Sequence, residues 1–278
     1  MELPKKLYRY RPLAGEGIAK REIDALEASG IFAARFNQVN DPMEAFFDFD
    51  RDVDRSVDQA LETEFSAEIY GVAKPIIEGF ALISFSSRRD DLPMWAYYAS
   101  GFTGMCLEYD IEALGVGDDD LAKLFPVDYA DEPHPALSAA ALHAGDPKDL
   151  LFPRLLRKPK AWAHEAEWRA IYGAQGLLRH PPEALTRIIL GPRIDPAHRD
   201  AILGLFTRRP AEVVQALITG WRLELATIQP PTPLTDCVRL GAGRVEGPEE
   251  SPSEWAEAAN FLSEPVDRLA EECQRLAK

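Results

Sequence analysis

Apolar and polar residues alternate in short stretches along most of the chain, and these stretches predict strands with helices between them. In Leu7–Arg11, tyrosine alternates with arginine at the period of a strand, and the glycines that follow break the pattern. This order predicts an α+β fold, with a mixed, largely antiparallel sheet of about six to eight short strands and surrounding helices. The other predicted strands are 31–36, Phe80–Ser87, Gly104–Asp110, Leu124–Ala130, Leu185–Pro192 and Trp221–Ile228, and the predicted helices are Glu16–Ser29, Asp54–Glu78, 92–99 and Asp195–Arg209.

The chain changes character after Gln229–Leu234, where a linker rich in glycine and proline leads into an acidic segment. We therefore expect a single mixed α+β domain over residues 1–234, followed over residues 235–278 by the linker and a C-terminal amphipathic helix that Pro265 divides. This helix either docks on its own domain or, through residues 253–277, holds a protein partner or a second copy of the chain. Its apolar positions recur at steps of four and three, as in a heptad seam, at Trp255, Ala259, Leu262, Val266, Leu269, Cys273 and Leu276.

The stretch EAEWRAIY combines two glutamates and an arginine with aromatic residues. Read as a strand, it places Glu165, Glu167 and Arg169 on one face and an apolar face behind them. Read as a helix, it pairs Glu165 with Arg169 at a spacing of four residues. The flanking aromatic residues, together with the bounding Pro159 and Gly173, favour the strand.

The chain has 278 residues and a formal net charge of −15 at pH 7, so it lacks the basic surface that duplex DNA or an anionic membrane requires. Its basic residues nevertheless form two clusters, which indicates a small anionic ligand rather than a polynucleotide. We expect such a ligand as partner, no membrane partner, and no nucleic acid. The clusters are Lys5, Lys6, Arg9 and Arg11, and Arg154, Arg157, Lys158 and Lys160.

Targeting and redox signals are weak. No apolar stretch approaches the roughly 20 residues that cross a bilayer, and the N-terminus lacks the apolar block of a signal peptide, which predicts a cytoplasmic protein. Cys106, Cys237 and Cys273 are widely spaced and odd in number, which indicates reduced, structural thiols. The histidines show no metal-ligand spacing, so we expect no bound metal.

Two glutamates at alternate positions of a strand lie about 7 Å apart at their Cα atoms, close enough to act on one ligand. Such a pair can bind a metal, transfer protons, or stabilise an oxocarbenium-like transition state. A metal-dependent nuclease or phosphodiesterase would add Asp41 and Glu44 as ligands, with Lys158 or Lys160 near phosphate. A further interpretation is an ion-pair ladder in a non-catalytic sensor or interaction protein.

Five blocks in chain order carry a resemblance to known proteins. They are LYRYRPL, FNQVNDPMEA, SFSSRRDDLPMWAYYASGFTGMCLEYD, KAWAHEAEWRAIY and RIILGPRI. In this order they resemble a large bacterial family of unknown function that is related in pattern to AbiGi-type abortive-infection proteins. The resemblance spans residues 5–230 and implies a role in phage defence, but it implies no particular chemistry.

A weaker resemblance is to ADP-ribosyltransferases of the Arg-Ser-Glu type. These enzymes carry an arginine on one strand, a Ser-Thr-Ser-like motif on another and Glu-x-Glu on a third. This chain offers Arg9 or Arg11, then SFSS at a strand end, then EAE with Glu167 in second place. The phenylalanine within SFSS departs from the pattern.

This resemblance implies an ADP-ribosyltransferase-like or NAD-consuming enzyme, such as a toxin or phage-defence effector, with NAD as substrate. Glu167 would hold the nicotinamide ribose and stabilise an oxocarbenium-like state, with Glu165 and Ser86 beside it. Guanidinium groups would bind the pyrophosphate, and aromatic rings would stack on nicotinamide or adenine. The implied NAD-binding residues are Arg9, Arg11, Ser84, Trp95 and Tyr98.

Overall fold

The computed structural model describes residues 3–39, 41, 43, 71, 73–116, 123–137, 146–173 and 175–231. The strands are β1 (Lys6–Arg11), β2 (Gly30–Arg35), β3 (Ala81–Ser86), β4 (Met105–Asp110), β5 (Lys123–Pro126), β6 (Asp128–Ala130), β7 (Arg157–Pro159), β8 (Glu167–Tyr172), β9 (Gly176–Arg179), β10 (Leu185–Leu190), β11 (Glu212–Thr219) and β12 (Arg222–Gln229). The α-helices with described bounds are α1 (Ile18–Glu27), α2 (Leu92–Tyr98), α3 (Ile111–Leu114), α4 (Pro147–Leu151) and α5 (Pro196–Phe206), and residues 73–79 are also helical.

Ten of the described strands form one largely antiparallel sheet, in which the strand order β12-β11-β10-β4-β1-β3 is followed by a branch. One edge of β3 pairs with β8 along its whole length, and β8 pairs in turn with β5. The other edge of β3 is shared, because β1 pairs at Ser86 while β2 pairs at Ala81 and Leu82. The strands β1 and β2 therefore diverge from β3, and β2 continues the sheet through β9.

Helices cover both faces of this sheet. On the face that we call the α1 face, alternate residues of the central strands pack with Leu26 of α1 and with Ile202 and Phe206 of α5. The opposite face, the α2 face, carries two separate apolar clusters. One contains Met94 and Trp95 of α2, and the other contains the 3-10 segment Phe152–Leu156.

Local signals explain where the two best-defined helices begin. The Asp91 side chain accepts a hydrogen bond from the Met94 backbone N–H at 3.0 Å, and Asp195 does the same for Ala197 at 2.8 Å. In each case a proline lies in the first turn, where its missing N–H costs nothing. These caps fix α2 directly after the SFSSRR stretch that the sequence singled out.

The predicted mixed fold and largely antiparallel sheet are confirmed, although the sheet has more strands than expected. The predicted strand Leu124–Ala130 is two strands, because Lys123–Pro126 pairs with β8 while Asp128–Ala130 pairs with β7 in a separate two-stranded sheet. Such strands of three or four residues are too short to give a periodic signal.

Several other predictions fall outside the described residues: the C-terminal helix, most of the helix predicted over Asp54–Glu78, and two of the cysteines, Cys237 and Cys273. Cys106 is buried and free, as expected of a structural thiol. Within the described part of the chain, no helix is long and apolar enough to span a membrane.

Candidate functional site

A row of polar side chains crosses the α2 face of the sheet. Directly opposed residues on neighbouring strands point to the same face, so the strand register determines the members of the row. Glu167 lies opposite Ser86, Ser86 opposite Tyr8, and Tyr8 opposite Glu108. The row continues from Glu108 through Arg187 to Glu212. We call this set the polar row: Glu167, Ser86, Tyr8, Glu108, Arg187 and Glu212.

At one end of the polar row, two carboxylates and two cations form a buried cluster. Lys158 Nζ lies 2.6 Å from Glu165 Oε2 and 3.2 Å from Glu167 Oε2. The Arg169 guanidinium donates to both oxygens of Glu167, at 3.0 Å each. All four residues are at most 5% exposed. We call Lys158, Glu165, Glu167 and Arg169 the glutamate cluster; its formal charges cancel.

The backbone between the two glutamates differs from the predicted strand. Glu165 ends the 3-10 turn Lys160–Glu165, and Ala166 takes a left-handed conformation with φ 45° before β8 begins at Glu167. The expectation that Glu165 shares a strand face with Glu167 and Arg169 is therefore wrong for Glu165. The turn still brings its carboxylate to Glu167, because Lys158 bridges the two side chains.

The serines of β3 hold this junction in place. Ser86 Oγ donates to the Glu165 backbone carbonyl at 2.6 Å and accepts from the Arg88 N–H at 3.0 Å. The Ser84 hydroxyl hydrogen-bonds to the Glu167 carboxylate. Ser86, which the resemblance to Arg-Ser-Glu transferases placed beside Glu167, therefore contacts the backbone of Glu165 and neighbours Glu167 in the sheet.

The electrostatic environment keeps Glu167 ionised. Burial alone would raise the pKa of its carboxyl group, but Arg169, Lys158 and the hydrogen bond from Ser84 outweigh burial and lower the pKa to about 2. Glu167 is therefore anionic throughout the physiological pH range. The Tyr129 hydroxyl accepts a hydrogen bond from the Glu167 backbone N–H at 2.8 Å, and burial raises the pKa of that hydroxyl to about 12.

Two aromatic residues contact the glutamate cluster. The Tyr98 hydroxyl donates to Glu165 Oε1 at 2.5 Å, and the tyrosine is partly exposed. The Trp162 ring lies 5.1 Å from Lys158 Nζ and is also partly exposed. Both rings are therefore partly exposed beside a buried ionic cluster.

Trp95, predicted to stack on NAD, is instead a core residue. It is fully buried, with its ring 5.4 Å from that of Tyr10 and stacked at 6.2 Å on that of Phe102. Its indole N–H donates to the Arg89 carbonyl at 2.9 Å. Trp95 therefore positions the segment after Ser86 and offers no ring face to a ligand.

A second ionic cluster occupies the middle of the polar row. Glu108 is 1% exposed and lies 2.5 Å from Lys6 Nζ and 3.2 Å from Arg187. The Thr186 hydroxyl donates to it at 2.9 Å, and the Arg89 guanidinium lies 4.0 Å away. These partners outweigh burial and lower the pKa of Glu108.

The two arginines predicted to bind NAD lie on the other side of the sheet. Arg9 and Arg11 alternate with Tyr8, and Tyr8 belongs to the polar row, so both arginines point to the α1 face. There Arg11 forms a bidentate ion pair with Glu22, with both distances 2.6 Å. The predicted contacts do not converge, because the sheet separates both arginines from Glu167.

The described residues also do not bring together the carboxylate ligands expected for a metal-dependent nuclease or phosphodiesterase. Lys158 Nζ occupies the position between Glu165 and Glu167 that a bridging cation would take. Asp41 is buried and accepts a hydrogen bond from the Met43 N–H at 2.8 Å, while Glu44 lies outside the described residues. Among the residues that are described, no group of three or more His, Cys, Asp or Glu side chains is placed to hold a metal ion.

Sequence reasoning assigned no site role to Tyr8, Glu108 and Tyr129. It placed Lys158 in a basic cluster and, for the nuclease alternative, near phosphate, but not between the two glutamates. One signal was available. Glu108 is a carboxylate in the interior of the strand MCLEYD, between apolar residues, and a buried carboxylate of this kind needs cationic partners. The role of Tyr8 had no such signal, since it depends on how β1 pairs with β3.

Comparison with known proteins gives one finding. A family model described as a protein of unknown function, DUF2971, matches residues 94–170. No curated protein and no solved structure matches the chain. The matched segment runs from α2 into β8 and contains Tyr98, Glu108 and the whole glutamate cluster. Over this segment the chain is similar to a protein family of unknown function, whereas the relation to AbiGi-type proteins stays a prediction.

Proposed function

We propose that the chain is an NAD-consuming enzyme, an NAD glycohydrolase or ADP-ribosyltransferase, with Glu167 as the carboxylate that stabilises the oxocarbenium-like transition state. In this reaction the bond between the nicotinamide nitrogen and C1′ of the ribose breaks, and its electron pair leaves with nicotinamide. Water or a target nucleophile then adds at C1′ and loses a proton.

The observation that carries the proposal is the position of Ser86 directly opposite Glu167, with the Ser84 hydroxyl bonded to the Glu167 carboxylate. The resemblance to Arg-Ser-Glu transferases requires a serine motif beside the second glutamate of Glu-x-Glu. A carboxylate with a pKa of about 2 is anionic at neutral pH. If a ligand displaced Lys158 from Glu167, that negative charge would favour a positive charge that develops on the ribose.

Glu165 and Tyr98 would position the ribose rather than stabilise its charge. The Tyr98 hydroxyl and Lys158 Nζ both contact Glu165, so a ribose hydroxyl that replaced the tyrosine hydroxyl would find an oriented acceptor. The Trp162 and Tyr98 rings, both partly exposed, would contact nicotinamide.

Arg88 and Arg89 are better placed than Arg9 and Arg11 to bind the pyrophosphate. They directly follow the serine motif on the α2 face, and their side chains are 56% and 46% exposed. Guanidinium groups bind phosphate oxygens bidentately.

The role as a toxin or phage-defence effector rests on the family resemblance, and the target of any ADP-ribose transfer would be a separate finding.

The test is nicotinamide release from NAD, measured by chromatography, with wild type and Glu167→Gln. We expect wild type to release nicotinamide. The rate of release by Glu167→Gln should be lower by about a hundredfold or more. Since that change also leaves Arg169 and Lys158 with fewer partners, each variant is first matched for folded fraction by its melting curve. The control is Glu224→Gln, on exposed β12, which should retain wild-type activity.

A second variant avoids disturbing the buried charges. Tyr98→Phe removes only the hydroxyl that contacts Glu165, and the ring is partly exposed; we expect a changed KM for NAD in a folded protein. No turnover by wild type, with no NAD-dependent rise in melting temperature, would overturn the proposal. Magnesium-dependent cleavage of nucleic acid by the same preparation would support the nuclease alternative instead.

A further inference from the structure

Arg9 carries a partly buried positive charge that forms no ion pair with a carboxylate of the described residues. Its Nη2 donates to the Phe32 backbone carbonyl at 2.9 Å, while its Nη1 is enclosed and has no hydrogen-bond partner. A guanidinium has five N–H donors and no acceptor. A buried cation in this state is costly unless an anion joins it.

The neighbours of Arg9 increase the excess of positive charge. Arg11 lies two residues along the same face of β1, and its partner Glu22 also accepts from Arg21 at 2.9 Å. This group has three guanidinium charges against one carboxylate, which leaves a net charge of +2. Burial and then Arg11 lower the pKa of Arg9 to about 9, so it remains protonated at pH 7.

Arg9 lies where β1 and β2 diverge from β3, and its side chain is partly exposed to solvent there. β1 pairs with β3 at Ser86 and β2 pairs with it at Ala81 and Leu82, and the Arg9 side chain reaches across to the β2 backbone. Arg9 is only partly buried as a residue, and the Phe32 side chain beside it is 42% exposed. A small anion can therefore reach the guanidinium from solvent.

We propose that this fork between β1 and β2 is a phosphate-binding site, with Arg9 as its bidentate ligand and with Arg11 and Arg21 supplying the surrounding positive charge. A phosphate group carries about −1.5 to −2 charges near pH 7, which matches the net charge of +2, and the planar guanidinium fork fits its oxygens. The site is on the α1 face, separate from the glutamate cluster, so it does not depend on the proposed NAD chemistry.

The test uses the full chain and inorganic phosphate in a chloride buffer of constant ionic strength. Binding is measured by broadening of the phosphate signal in ³¹P NMR and by the rise in melting temperature. We expect both effects in wild type and weaker binding by about tenfold or more in Arg9→Met. Arg9→Lys should have an intermediate effect, because it keeps the positive charge but loses the planar guanidinium group. The control is Arg199→Met, whose side chain is 44% exposed on the solvent side of α5, and which should respond as wild type does.

Comparison of variants separates specific binding from the general stabilising effect of phosphate on folded proteins. That general effect raises the melting temperature of every variant equally. An equal response in wild type and Arg9→Met would overturn the proposal, as would the absence of ³¹P broadening in wild type. Loss of the response in Arg9→Met, with the response of Arg199→Met unchanged, would support it, whether or not the protein cleaves NAD.

Discussion

Lys158 forms ion pairs with both Glu165 and Glu167, so its replacement should lower the stability of the fold strongly. Lys158→Met leaves Glu165 and Glu167 buried without their shared cation, so we expect the free energy of unfolding to fall by about 3–5 kcal/mol. The matched control is Lys160→Met, which removes an exposed ion pair with Asp131 and should cost less than about 1 kcal/mol. Urea denaturation of both variants measures the difference. Similar losses in the two would contradict a buried, coupled cluster.

The depressed pKa of Glu167 predicts how stability depends on pH. Its folded-state pKa of about 2 lies below the ordinary value of 4.5, so the unfolded chain binds the proton first. The contribution of Glu167 is fully present above about pH 4.5 and is lost as the pH falls toward 2. Denaturation at a series of pH values should show this loss, and Glu167→Gln should flatten it. An unchanged slope in the variant would mean that Glu167 titrates normally.

The residues whose positions were predicted wrongly are those whose positions depend on how distant strands pair. The alternation in LYRYR predicted the strand and its two faces, but nothing in it says which face meets the serine motif. The register of β1 on β3 decides this, and a slip of one residue would exchange the faces. Tyr8 therefore lies beside Ser86, whereas Arg9 and Arg11, which were expected to line the same site, point to the other face.

At the scale of elements, the junction between the 3-10 turn and β8 determines where Glu165 points. Ala166 has φ 45°, a conformation that favours glycine, so no sequence signal announced the break. The strand prediction was right from Glu167 onward, where alternation reflects the two packed faces.

This junction gives a stability prediction. Ala166→Gly should raise the free energy of unfolding by about 0.5–1 kcal/mol, because glycine adopts the left-handed conformation without strain. The control is Ala163→Gly, at an exposed position of the same turn without positive φ, which should lower stability by a similar amount. Thermal and urea denaturation measure both, and a loss of stability in Ala166→Gly would contradict the assigned backbone.

For the whole molecule, the sequence division at residue 234 can be tested directly. The sheet of the described residues ends with β12 at Gln229, and the three apolar clusters use residues from Leu7 to Leu225. A chain ending at residue 234 should therefore unfold cooperatively, with a free energy within about 1 kcal/mol of the full chain. Loss of the cooperative transition would show that residues 235–278 complete the core.

The same truncation tests the predicted role of residues 253–277 in association. If that segment holds a second copy of the chain, the full protein should sediment as a larger species than the truncated protein. The mass of the full protein should also fall on dilution, since association depends on concentration. Equal, concentration-independent monomer masses for both forms would exclude a second copy and leave docking on the parent domain or binding of a different protein.

The central claim is that Glu167 acts in cleavage of NAD while Glu165 positions the ribose. The most direct measurement is the rate of nicotinamide release by Glu165→Gln and Glu167→Gln, each matched to wild type for folded fraction. We predict that Glu167→Gln loses mainly kcat, by about a hundredfold or more, while Glu165→Gln changes KM more than kcat. Wild-type kcat and KM in folded Glu167→Gln would contradict the claim.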